Sequence, residues 1–523
     1  MAKRITIDPM TRIEGHLKIE VEIENGKVKD AWSTGTMARG FEALLLGKDP
    51  RDAPYVVSRF CGICFSVHQV ASARALEAAF GAQVPPGGAC LRNLIMGAEY
   101  IYDHMLHFYH LSALDYIDIM AVANYKGKDR ELNNVKAKIM DLVQKNDIYP
   151  LMPRYKPDEY CVSDPEAAIS AVKHYLDALR MQVRAKNMGA IWGARTPHYQ
   201  TIVVGGFTQY PDLNQVARFR SMLDDLNVFV SEIYIPDVMA FGTGPLLPLA
   251  KAGLGAGHLN YIAYGSGAGA LDESGNRLFK PGVIKGFKDP SNMNIEPFDQ
   301  KKITESVHSS WYKSDAPKHP YEGEQVFDLN RENAYSFVKS PRYENTPMEL
   351  GPFARALIDQ NPTILDLIKN QGFRPGVVAR HAARALETKR LISAMYRWLD
   401  ELTEEMLKPG FKIHDKEHWE PPAEGEGVGF FEAPRGALGH WVRIKDHKIA
   451  NYQAVVPSTW MSSPRDEHGQ RGQYEEALIG VPVPDPENPI NIVRVIRSFD
   501  PCMACAIHLI DPKTNEIRRF TVE

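Results

Sequence analysis

The chain has 523 residues, 44% of them apolar, with 61 basic and 65 acidic side chains that leave a formal charge of −4. Charges of both signs spread along the chain exclude nucleic acid as a main partner, because phosphate recognition needs a basic face. This length buries a large core in one big domain or a few lobes, and neither a signal peptide nor an apolar run of about eighteen residues is present, so any export signal or membrane anchor is expected on a partner.

Residues 4–35 predict strands. LKIEVEI alternates from Leu17 to Ile23, and Asn25-Gly26 supplies a tight hairpin turn. Residues 91–121 predict a helix, with Leu94, Ala98, Ile101, Met105 and Phe108 at three-to-four spacing. Asp164-Pro165 is a cap followed by a first-turn proline, opening a helix towards residue 188. Asp212 likewise precedes Val216, Phe219, Leu223, Leu226 and Val230. The stretch 253–345 is rich in Gly, Pro and Ser and predicts loops and short strands, while 376–408 is helical again and stops at Pro409-Gly410. WVRIKDHKIANYQAVVP, within 428–460, predicts a second hairpin. The fold class is α+β, predominantly helical, with strands near both chain ends.

Four of the six cysteines form two Cys-x-x-Cys pairs, Cys61/Cys64 and Cys502/Cys505. Two intervening residues let both thiolates face one ion from a single turn, and Gly62 and Pro501 suit such turns. His68 and His508 each follow the second cysteine of a pair by three or four residues. Zinc ribbons join their pairs across short loops, whereas Cys64 and Cys502 lie 438 positions apart. A thiol–disulfide motif would stand as a single pair. A buried thiolate-bound transition metal uses both pairs. Spacing alone leaves zinc and a catalytic metal both open.

The surrounding residues are more specific. Thr11-Arg-Ile-Glu14-Gly-His16, Arg59-x-Cys61-Gly-x-Cys64-x-x-x-His68, Ala433-Pro434-Arg435-Gly436 and Asp500-Pro-Cys502-x-x-Cys505-x-x-His508 resemble, in order and spacing, the large subunit of nickel–iron hydrogenases. HFYHLSALD at 107–115, Gly-Gly-Phe-Thr at 205–208 and NYQAVVPSTW at 451–460 extend the resemblance along essentially the whole chain. The related respiratory complex I subunit lacks the four metal cysteines, and a selenocysteine variant would differ at position 502, which is cysteine here.

The resemblance implies a long-helix core with small sheets near both ends. It also implies a catalytic subunit that reversibly cleaves H2 to protons and electrons. Carried over, Cys61 and Cys502 are terminal nickel ligands, and Cys64 and Cys505 bridge nickel to an iron that bears CO and two cyanides. His68 would hydrogen-bond a bridging sulfur. Cys502 accepts the proton with Arg435 as its electrostatic partner, and Glu14 takes the proton onward. Pro434, Arg435 and Ser458 surround the cyanides. Asp115 and Asp118 match the acidic side of the canopy above the metals, and Ile63 and Leu114 match a narrowing in a gas channel. Cys90 and Cys161 are too few for an iron–sulfur cluster in this chain, so electrons leave through an iron–sulfur small subunit, with a membrane cytochrome or quinone-reducing subunit beyond it. A hydrogen sensor or a degenerate electron-transfer subunit of the same family is the alternative.

The family further implies a domain 1–508 and an extension 509–523, removed at His508 by a maturation endopeptidase after nickel-insertion proteins have acted. His508 then binds magnesium or a similar ion with Glu42 and the backbone near Ala454. The expected location is the periplasmic side of the membrane, after export with the small subunit; the alternative is the cytoplasm.

Overall fold

The alternation of Leu17–Ile23 folds as a three-stranded antiparallel sheet of β1 (Lys3–Ile7), β2 (Leu17–Glu24) and β3 (Lys27–Gly35), in that order. Ile5 stands opposite Val21, and Val21 opposite Ala31, so one face is apolar, buried at Val21 and Ala31 and half-buried at Ile5. Asn25 (φ 52°) and Gly26 (φ 71°) turn the β2–β3 hairpin in the left-handed region that such two-residue turns require. The computed structural model describes residues 3–149, 151–152, 155–265, 278–314, 316–323 and 326–506.

Long helices form the body: α1 (Phe65–Phe80), α2 (Pro86–Met105), α3 (Pro165–Gly193), α4 (Leu213–Phe229) and α5 (Val377–Met406). Asp164 caps α3 by accepting from the Ala167 amide at 2.9 Å, and Asp212 and Gln215 form a reciprocal capping box on α4. α2 starts before residue 91 because Pro86 opens it. There Gly88 lies flat on the backbone of Ile413, whose oxygen would stand 2.3 Å from any added Cβ. The helix expected over 91–121 stays regular only to Met105. Residues Leu106–Ser112 continue as a wider π turn and Ala113–Asp115 as a tight 3-10 turn. The wider turn brings His107 Nε2 to the Arg497 carbonyl at 2.6 Å and lets the Tyr109 hydroxyl donate to Asp237 at 2.7 Å. Within 253–345 the described residues form two short antiparallel pairs, Tyr261–Ala263 with Gly282–Ile284 and Ile303–Ser306 with Ser340–Tyr343.

The second sheet has three strands, β4 (Glu424–Ala433), β5 (Gly436–Lys445) and β6 (Lys448–Val455). The expected hairpin is β5–β6. β4 escapes the sequence pattern because EGEGVG has little strand propensity. Its glycines serve packing instead. An added Cβ would stand 2.0 Å from the Ala75 oxygen at Gly427 and 1.9 Å from the Ala71 oxygen at Gly429. The alanine face of α1 therefore rests directly on β4. This close approach ties the first cysteine turn, at the start of α1, to the Ala433-Pro434-Arg435 corner at the end of β4.

The chain ends meet at the same place. After the helix Ile490–Ser498, the segment 500–503 lies beside residue 14 as a parallel bridge: the Glu14 amide donates to the Pro501 oxygen at 3.1 Å, and the Met503 amide to the Glu14 oxygen at 2.7 Å. Gly15 (φ 81°) makes this possible, since a Cβ there would come within 2.4 Å of the Ala504 nitrogen.

Candidate metal centre

The two cysteine turns face each other across this junction. All four sulfurs, of Cys61, Cys64, Cys502 and Cys505, are buried and lie within 4.8 Å of one another. The shortest separations are 2.8 Å for Cys502–Cys505, 3.1 Å for Cys64–Cys505 and 3.4 Å for Cys61–Cys502. The amides of Ile63 and Cys64 point at Cys61 Sγ from 3.2 and 3.3 Å, and the Cys502 amide donates to Ser458 Oγ at 2.9 Å.

Burial works against ionising any of these thiols, yet hydrogen bonds from Cys502, Cys505 and Cys64 hold Cys61 well below the usual thiol range. Bonds from Cys502 and Cys505 favour the Cys64 thiolate, but its bond to Cys61, burial and the Cys61 charge push it up to about 12. Burial also carries Cys502 and Cys505 upward. Four soft donors that share protons in a dry pocket fit a thiophilic cation, which replaces those protons on binding. A cavity of about 10 Å³ adjoins Cys64, Cys502 and Cys505 and is lined also by Pro434, Arg435 and Ser458.

Glu14 reaches the second turn from the N-terminal sheet. Its Oε2 accepts from the Ala504 amide at 3.0 Å and from Cys502 Sγ at 3.3 Å. Burial, reinforced by the negative charge of Cys61, raises this carboxyl to about 7.

Arg435 is buried and clamped by two carboxylates, Asp103 at 2.7 and 2.9 Å and Asp500 at 2.9 Å. Burial lowers its affinity for the proton, but Asp103 and Asp500 outweigh this and hold the guanidinium protonated. The Pro434 carbonyl accepts from Arg355 Nη2 at 3.1 Å, which fixes the corner. The acidic partners of Arg435 are therefore Asp103 and Asp500, whereas Asp115, expected on the acidic side above the metals, pairs with other arginines. Both Asp115 oxygens are occupied by Arg497, at 2.7 and 2.8 Å, and by Arg12. Burial opposes its charge, yet Arg12 and Arg497 hold it below the usual carboxylate range. Asp118 instead caps the turn Ile119–Asn124 by accepting from the Met120 amide. Asp103 was legible only as an acid in a helix buried nearly all round, and Asp500 as the acid preceding Pro501-Cys502.

His68 lines the cavity beside Cys64, but its Nδ1 meets His440 Nε2 at 3.1 Å, so a bond to a sulfur would use Nε2. Burial lowers it to about 4, and the ring is neutral. His440, not anticipated from sequence, is held in turn by the Tyr452 hydroxyl at 2.7 Å. Glu42 is buried, pushed up to about 7 by burial, and accepts from the Ala454 amide at 2.9 Å. Glu42 and Ala454 are thus adjacent, through the Ala454 N–H. His508 and the extension 509–523 lie outside the described residues. Cys90 and Cys161 are buried outside the four-sulfur group, and burial pushes their thiols up to about 12 and about 11. Ile63 is half-buried beside Cys64 and Leu114 is buried; neither lines the cavity.

Comparison with known proteins places this geometry in context. A family profile described as nickel-dependent hydrogenase matches residues 39–508, and one described as HoxL-like matches 4–33. The chain is 39% identical to the periplasmic [NiFeSe] hydrogenase large subunit of Desulfomicrobium baculatum, covering 98% of this chain and 96% of the relative. It is 36% identical to the hydrogenase-2 large chain of Escherichia coli (strain K12), covering 99% of each. A crystal structure of the H2-activated D. baculatum [NiFeSe]-hydrogenase superposes with a TM-score of 0.84 at 39% identity, covering 97% of this chain and 100% of that one.

Proposed function

The chain belongs to the nickel-dependent hydrogenase large-subunit family, and on that premise we propose how its residues perform the oxidation and formation of H2. The observation that carries the reading is the convergence of four buried sulfurs from the two chain ends beside Arg435. When bound, a nickel–iron pair supplies the Lewis acid at which H2 is cleaved heterolytically. Cys61 and Cys502 would be terminal nickel ligands, and Cys64 and Cys505 would be shared with iron. The cavity adjoins the sulfur-bearing residues Cys64, Cys502 and Cys505, leaving Cys61 on the far side. CO and two cyanides on iron suit a pocket with donors at Arg435 and Ser458 and apolar walls at Pro434 and Leu438. Selenium belongs to the named relatives; position 502 is cysteine here.

Cys502 Sγ is the proton acceptor and Glu14 the next station, 3.3 Å away with an affinity poised near neutrality. Arg435 stays protonated between its two carboxylates and acts through its charge. His68, oriented by His440, would donate from Nε2 toward the Cys64 sulfur. The electrons pass to an iron–sulfur small subunit, since only Cys90 and Cys161 remain here. Among the described residues no helix is long and apolar enough to cross a membrane. We place the chain on the periplasmic side, exported with its small subunit and coupled to a membrane cytochrome or quinone-reducing subunit. Maturation by nickel-insertion proteins and an endopeptidase would remove 509–523 and leave His508 to join Glu42 and Ala454 around magnesium.

Metal analysis of the purified complex, together with viologen-coupled H2 oxidation, tests the reading. Nickel and iron with turnover are expected. Zinc in their place would overturn it, and nickel without turnover would favour a sensor.

A further inference from the structure

Arg39 precedes the short helix Phe41–Leu45 and has no role in the chemistry assigned above. Among the described residues its guanidinium hydrogen-bonds only to backbone around the cysteines. Nη2 donates to the Arg59 carbonyl at 2.9 Å, and Nη1 donates both to the Phe60 carbonyl and, at 3.2 Å, to the Ala504 carbonyl. Phe60 immediately precedes Cys61, and Ala504 lies between Cys502 and Cys505. One nitrogen therefore serves both turns, which are otherwise remote in sequence. The Phe41 ring covers the guanidinium at 4.7 Å, and among the described residues no carboxylate pairs with it.

We infer that Arg39 is a positioning residue that clamps the two cysteine turns together and sets the span of the four-sulfur site. This rests on the reading of that site as a metal centre. Four sulfurs from two turns remote in sequence reach within 4.8 Å of one another only if the two turns are held in register. Glu14 and Ser458 hold only the second turn. The amides of Ile63 and Cys64 organise only the first. Cysteines aside, no other side chain among the described residues donates to both. A guanidinium suits the task because its planar fork offers several donors in fixed directions, which a lysine ammonium cannot reproduce.

The test uses the full chain purified from nickel-starved cells as wild type, Arg39→Lys and Arg39→Met, titrated with cobalt(II) alone. The sulfur-to-cobalt charge-transfer band reports thiolate ligation, and far-UV circular dichroism reports the fold. Cobalt affinity is expected to fall roughly 10–100-fold in Arg39→Met, the usual cost of losing a group that orients ligands, and to fall also in Arg39→Lys. Wild-type affinity and spectrum in both variants overturn the clamp. Should Arg39→Met lose its fold, Arg39→Lys decides on the same criterion. A wild-type chain without the band overturns the metal-centre reading itself, and the clamp with it.

Discussion

Glu14 Oε2 stands 3.3 Å from Cys502 Sγ and, at about 7, holds its proton through the range where an exchange with a thiolate is useful. Glutamine keeps the shape and the bond to the Ala504 amide but carries no proton. Glu14→Gln should therefore lower viologen-coupled H2 oxidation at least about 100-fold, with nickel and iron per chain unchanged. Normal turnover across the pH range would make Glu14 structural. The residue scale also shows where sequence reading stops. The cysteines declared themselves by spacing, and Glu14, Arg435 and Ser458 by their motifs. Which acids face Arg435 was not readable, because Asp103 lies 332 positions from it and Asp500 lies 65. Asp115 sits in a recognisable motif, yet its charge is taken up by Arg12 and Arg497. A motif gives residue types in order; which way each points is set by helix phase, here altered by the π turn at Leu106–Ser112.

Among the elements, the α1–β4 contact has the narrowest tolerance, since two glycines meet helix backbone with no room for a methyl. Gly429→Val should force α1 away from β4, costing about 1–3 kcal/mol in overpacking, and should loosen the first cysteine turn from the Arg435 corner. Lower melting temperature with less nickel retained per chain is expected; an unchanged melt would mean the sheet yields without cost. β4 was illegible for the same reason it works: glycine weakens strand propensity and permits the approach. The helices of α3 and α4, by contrast, could be read from Asp164 and Asp212, because caps are local. A second element contact joins the two ends of the chain. Glu475, in the short helix Gln473–Leu478, accepts from the Ser33 amide on β3 at 3.0 Å and from the Tyr335 hydroxyl at 2.7 Å. Burial, only partly offset by those bonds, pushes its carboxyl up to about 7. The folded chain thus keeps a proton that the unfolded chain releases near 4.5. Its stabilisation is complete below that lower value and lost as pH rises through about 7, on the order of 3 kcal/mol at about 1.4 kcal/mol per pH unit. Melts at pH 5 and pH 8 should show Glu475→Gln gaining on wild type at the higher pH. A constant gap would show the carboxyl ionised throughout.

At the scale of the whole molecule, the site exists only where the first sixty or so residues meet the last twenty-five. Residue 14 pairs with residue 502, Arg39 reaches Ala504, and Gly15 lets the two backbones touch. The sequence displayed this as two cysteine pairs at opposite ends, but the parallel bridge that joins them leaves no local pattern to read. Such a closure imposes an order of events. The four sulfurs are buried beside a cavity of about 10 Å³, so metal is expected to enter before the second turn packs on the first. Metal binding then contributes to folding the closed form, because the ligands must lose their protons and come together at once. In the sequence, the residues after Ala506 continue directly from the turn that carries Cys505. Removal of 509–523 should therefore follow loading. Intact mass of the chain from cells grown with nickel should give a form ending at His508, and the same cells without nickel should retain Glu523. Active, nickel-loaded enzyme that still carries Glu523 would show that the extension is ordinary structure and that the site closes by another route.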